Sequence, residues 1–230
     1  MNDKIKVEKR KTESLWLEAF PSLRAYAQNK LYKVIGPTVM GIELIKLPRT
    51  EEYRPHFVCY PLWKESIKEC LNAPVILTEF YDNKGLQFAV SYEKQDAHLP
   101  KVLSAVKNQV LIPFDRDVSL RTVFKLVDHQ FNDILIKNHS GKQAALYEFK
   151  LYCALYTSSN EREAQDIINQ IKHKSSDWDM SLFKMWFGDF HEWLESLHNR
   201  INKRDEFLTD VQINKQNKKI EKMNQFELKP

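Results

Sequence analysis

His191, Glu195 and His198 stand at i, i+4 and i+7 in a segment whose apolar residues recur at helical spacing. Such positions stack along one helical face, so two imidazoles and a carboxylate could converge on one divalent zinc or iron ion. These three residues are the metal candidates of the chain and the basis of an alternative reading as a metal-assisted hydrolase. No fourth ligand is identifiable, and the competing reading is a solvated surface on which His191 and Glu195 make an ordinary pair. Nucleophilic catalysis lacks a local signature, since there is no GxSxG motif. His56 and Cys59 fall on opposite faces of an expected strand, which keeps them from the hydrogen bond a Cys–His pair requires. Asp128, His129 and Asp133 share an expected helix, but immediate neighbours do not face each other there, so a solvated surface is the reading. The five glycines are dispersed, and the nearest pair, Gly36 and Gly41, flanks an expected strand instead of opening a helix. No loop is thus built to bring backbone N–H groups onto phosphate, and no cofactor is expected.

A different chemistry is carried by Trp186, Phe190 and Trp193. They belong to a stripe with Phe183, Phe187, Leu194, Leu197 and Ile201. Tryptophan combines a large contact area with a polar handle and recurs at binding hot spots. Trp186, Phe190 and Trp193 are therefore the partner-binding candidates. An aromatic stripe of this spacing also suits a helix packed into a core.

The elements that must hold these groups follow from a change of period. Lys30–Ile35 and Thr38–Leu47 flank the Gly36–Pro37 turn signal. Met40, Ile42 and Leu44 share one face, with Glu43 on the other, as in a sheet with one well-buried face. Tyr53–Tyr60 reads as a third strand, and Val75–Tyr81 with Leu86–Tyr92 as a hairpin closed by Asp82–Gly85. From residue 96 the spacing becomes helical, with one stripe from Leu120 to Leu135. A helix over Gln143–Tyr156 is apolar on several faces, and Asn160 with Glu163 has capping-box spacing ahead of Ile167, Ile168 and Ile171. The late stripe is expected as one helix over Asp179–Arg204. Strands first and helices afterwards define an α+β class, a mostly antiparallel sheet in the N-terminal half covered by C-terminal helices. Residues 1–12 are expected as a flexible basic arm, 13–204 as a single α+β domain, and 205–230 as a polar tail.

The net charge of +4 resides in the ends. Residues 1–11 and 199–230 each carry three more cationic than anionic side chains, which leaves the intervening body at about −2. A near-neutral body has no electrostatic footprint for a phosphate backbone, so nucleic acid is not expected beyond weak binding through the basic termini. Cys59, Cys70 and Cys153 are odd in number and lack CxxC spacing. No apolar run approaches a membrane span, and the expected location is the cytoplasm. The expectation is a non-enzymatic accessory module, antitoxin- or immunity-like, that binds a protein partner or itself through its aromatic-rich helical surface.

Overall fold

A computed structural model describes residues 3–93, 95–157 and 161–230. The chain opens with α1 (Asp3–Ala19), which stops ahead of Pro21 because the proline ring cannot follow a helical turn. From Asp3 onward the expected basic arm is therefore the first half of a helix. Thr12 and Trp16 are buried, and the Trp16 indole donates to the Tyr53 hydroxyl at 3.0 Å. Lys9 is buried too, its ammonium 5.2 Å from the Tyr92 ring centre and 3.7 Å from Glu51. The partners that order this segment lie far along the chain, where local composition does not reveal them.

Four strands follow: β1 (Arg24–Ala27), β2 (Lys30–Ile35), β3 (Thr38–Lys46) and β4 (Glu52–Pro61). After the short α2 (Ile67–Cys70), capped by Ser66, come β5 (Ile76–Glu79) and β6 (Val90–Ser91). The order β1-β2-β3-β4-β5 is antiparallel throughout, with β6 on β4 as well. The tight Gly36–Pro37 turn between β2 and β3 uses Gly36 at φ +51°, in the left-handed region.

Register assigns the faces. Met40 opposes Lys33 and Cys59, and Ile42 opposes Leu31 and Phe57, so these side chains share one face. Helices cover that face, with Trp16 at Tyr53 and Gln130 donating to Thr78 at 3.1 Å. The second face carries Tyr32, Val34, Val39, Val58 and Tyr60, all buried, so the central strands are buried on both sides and not on one as expected. Tyr26 stacks on Tyr32, and the Lys219 ammonium lies 5.0 Å from the Tyr26 ring centre, which places the C-terminal segment beside this face.

The Asp82–Gly85 turn forms as expected, with Asp82 Oδ1 accepting from the Lys84 and Leu86 N–H groups and Gly85 at φ +76°. The hairpin arms diverge, however. Tyr81 and Gln87 make one bridge, after which β6 returns to the edge of β4 that β5 also uses.

The helical half comprises α3 (Gln95–Gln109), the short β7 (Val118–Ser119), α4 (Leu120–Phe131), α5 (Ile134–Lys137), α6 (Ser140–Thr157) and α7 (Glu161–Lys174). The single helix expected through Leu135 ends at Phe131, because Asp133 caps a new turn by accepting from the Leu135 N–H at 2.7 Å. Ile134 and Leu135 consequently leave the buried stripe. α6 is buried on several faces, and Ile167, Ile168 and Ile171 of α7 point inward, both as expected. Asn160 of the expected capping box lies outside the described residues.

Residues 205–230, expected as a polar tail, are ordered. α8 (Met180–Phe187) and α9 (Phe190–Asn202) precede α10 (Arg204–Lys215), which buries Phe207, Val211 and Asn214. Then β8 (Gln225–Phe226) pairs parallel with β2, and β9 (Leu228–Lys229) parallel with β7. A Cβ on Gly36 would lie 2.5 Å from the Leu228 Cβ, so the C-terminus is seated where only glycine fits.

Candidate functional site

The late aromatic segment is two helices. Gly188 adopts φ +76°, and Asp189 then accepts from the His191 and Glu192 N–H groups to start α9. Hydrogen bonds from those two amides hold the Asp189 carboxyl below its ordinary range, aided by nearby His191 and Lys184. The break folds the stripe onto itself. Phe183 lies 5.4 Å from Phe187, 5.5 Å from Phe190 and 5.2 Å from Trp193. Trp178, outside the expected stripe, closes the cluster by stacking on Phe183 at 5.6 Å.

The three partner-binding candidates separate accordingly. Trp193 is 7% exposed and Phe190 is half-buried, so both belong mainly to the cluster. Trp186 is 60% exposed. Its indole rests against the backbone of Gly141, where a Cβ would come within 2.8 Å of the Trp186 Cγ, and meets the His139 ring at 5.1 Å. Ser140 fixes this junction by donating to the Asp179 carbonyl at 2.8 Å, while the Asp179 carboxylate caps α8. Trp186 is thereby held at the start of α6 with most of its area facing outward. Beside it Met185 is 82% exposed, and Ile134 and Leu135, on the turn that leads to His139, are 75% and 69% exposed.

Trp186 was legible as a large aromatic on a helix. Met185 carries no distinguishing signal in the sequence, and Ile134 and Leu135 continue the apolar spacing of the α4 stripe. Asp133, a good capping residue three positions after Gln130, was the available clue to the break.

His191 and Glu195 are exposed on α9, and His198 is half-buried. Among the described residues, no three His, Cys, Asp or Glu side chains are grouped to hold a metal ion, so spacing on one helix does not assemble a centre here. His56 and Cys59 do fall on opposite sheet faces, since His56 opposes Glu43 and Cys59 opposes Met40. Burial, then the neighbouring Cys153, pushes the Cys59 thiol up, opposite to the direction a nucleophile needs. Asp128 pairs with Lys150 at 3.1 Å and Asp133 caps α5, which separates them into structural roles.

Two lysines of the C-terminal segment have partners in the fold. Lys215 lies 5.9 Å from the Tyr156 ring centre, and Lys229 pairs with Asp117 at 2.7 Å.

A polar row escaped the sequence reading. Lys30, Glu43, His56 and Glu79 are register partners across four strands. Glu43 accepts from Tyr32 and from Tyr60 (2.6 Å) and pairs with Lys30 at 3.2 Å, while Tyr81 donates to Glu79 at 2.6 Å. Burial, reinforced by the bonds to Glu43, pushes the Tyr32 and Tyr60 hydroxyls far above their ordinary value. These phenols stay protonated and serve Glu43 as fixed donors, the work of a structural ladder.

Across protein-family models, curated proteins and solved structures, no match to this chain is found. The architecture itself defines an α+β protein with a mostly antiparallel N-terminal sheet and a helical C-terminal half. Among the described residues, no helix is long and apolar enough to cross a membrane.

Proposed function

We propose that this chain is a non-enzymatic protein-interaction module that meets its partner through the outer face of α8 and the adjoining α5 turn. The observation that carries the reading is the exposure of Met185 and Trp186 on a helix whose inner face is already satisfied by Phe183 and Phe187. Isolated surface apolar residues are ordinary, whereas an exposed tryptophan held by a glycine contact, next in the helix to the still more exposed Met185, resembles a binding hot spot. The fixed seat of Trp186 lowers the ordering cost of association.

Met185→Glu tests the reading, because a residue this exposed can change without disturbing the core. A partner captured under native conditions is to be identified, purified and titrated back onto both proteins. Saturable binding to the natural sequence, lost in the variant at an unchanged unfolding midpoint, is the expected result. Equal binding by the variant would remove this surface from consideration.

A further inference from the structure

We infer that the groove filled by residues 225–229 is a strand-addition site, open to an extended segment of a partner polypeptide that carries the pattern Phe-x-Leu-Lys. The groove shares no residue with the Trp186 surface, so the inference does not rest on the reading above.

Residues 225–229 are held as a peptide ligand would be. Val34 N–H donates to the Asn224 carbonyl at 3.0 Å, Gly36 N–H to that of Phe226 at 3.1 Å, and Val118 N–H to that of Glu227 at 3.0 Å. Asp117 accepts from the Glu227 N–H at 3.0 Å. Main-chain bonds of this kind give affinity, and alternate side chains give selectivity. Leu228 is buried and Phe226 half-buried, whereas Gln225, Glu227 and Lys229 are exposed. Each selective position has its own receiver. The Phe226 ring meets the Lys33 ammonium at 4.5 Å, and this buried cation favours an aromatic face over an aliphatic chain. Leu228 takes the space above Gly36, where a Cβ would meet both Leu228 and Tyr156. Lys229 reaches the Asp117 carboxylate at 2.7 Å.

None of these contacts requires the segment to be continuous with the groove. β8 and β9 are two residues each, and Leu228 alone of the five side chains is buried, so the segment can open at less cost than global unfolding. Opening stops at Asn224, which donates to the Ser22 carbonyl at 2.8 Å, with Met223 buried before it. Those anchors leave no tether for two copies to exchange segments, and the fitting occupant is a partner's strand. While attached, the chain's own segment competes at an effective concentration of about millimolar.

The probe is the fluorescent peptide Asn-Gln-Phe-Glu-Leu-Lys, with a scrambled peptide as control. Anisotropy is read on the natural chain and on a Phe226→Ala, Leu228→Ala double variant whose fold is checked by far-ultraviolet circular dichroism; Phe226→Ala alone replaces it if the pair unfolds. The expected result is saturable binding to the variant, roughly tenfold or more tighter than to the natural chain and absent with the scrambled peptide. Adding Asp117→Asn should weaken it several-fold, and adding Lys33→Met should abolish the preference for phenylalanine over leucine in the peptide. Hydrogen exchange on the natural chain needs no variant. The Gly36 and Val118 amides should exchange by local opening while those of central β3 stay protected, and excess peptide should slow them. Exchange of these two amides only by global unfolding, equal binding of the scrambled peptide, or no binding by a folded variant overturns the inference. Dimerisation of the natural chain that the peptide dissolves would assign the groove to a second copy and likewise overturn it.

Discussion

Lys33 is a cation held inside the protein. Its ammonium donates to the Pro113 carbonyl at 2.8 Å and lies 4.5 Å from the Phe226 ring centre and 5.5 Å from that of Phe114. Desolvation lowers its pKa to about 8, against the upward pull of Asp115 and Asp117. The folded state therefore binds fewer protons than the unfolded chain between about 8 and the ordinary lysine value of 10.5, and its stability rises with pH across that window. Buried tyrosines and thiols, whose folded values are raised, act oppositely at alkaline pH, so Lys33 is isolated by difference. Urea unfolding of Lys33→Met beside the natural sequence should show the gap closing in favour of lysine as pH rises from 8 towards 10.5, by up to roughly 3 kcal/mol. A pH-independent gap would contradict a neutral buried amine. The aromatic residues make a second test. Trp193→Ala should cost about 3–5 kcal/mol through the cavity it opens, and Trp186→Ala, at the exposed end, much less. Equal losses in chemical denaturation would mean that Trp186 is core.

At the scale of elements, breaks rather than runs decide the outcome. Gly188 is the residue that permits α8 and α9 to fold back, since its φ of +76° strains any side chain. Gly188→Ala should lower stability by about 1 kcal/mol and, by straightening the junction, loosen the Phe183–Trp193 contact, which near-ultraviolet circular dichroism would register. The strands of the sheet were legible because Met40, Ile42 and Leu44 alternate with Glu43, and the observed register puts them where that alternation requires. The α4–α5 break was not, because Ile134 and Leu135 continue the helical spacing of Val127 and Phe131, and a capping aspartate looks like any polar residue until the N–H groups it meets are known. The fate of β6 was hidden for a related reason. A turn specifies reversal of the chain, whereas the edge of β4 decides which strand is completed. Of the candidate site, the tryptophan was visible and its exposed neighbours were not, since exposure depends on which elements fail to cover a surface.

Over the whole molecule the two ends are what composition misjudged. Both are rich in charge and poor in apolar residues, yet each sends a few side chains to distant partners. Asn214 donates to the Leu62 and Lys64 carbonyls at 3.0 and 2.7 Å, and Asn224 to the Ser22 carbonyl at 2.8 Å. Ile220, Met223 and Leu228 are buried. Leu228→Ala is accordingly expected to cost about 2–5 kcal/mol, measured by urea denaturation, where a true tail residue would cost nothing. The seating of β8 against β2, through Val34 N–H to the Asn224 carbonyl and Gly36 N–H to that of Phe226, also bears on biosynthesis. Strand β2 emerges from the ribosome early but waits for a neighbour that lies far along the chain. Folding during translation can proceed only as far as an unfinished edge, so nascent chains arrested before Gln225 should remain open to proteolysis, and resistance should arrive once β8 and β9 have left the ribosome.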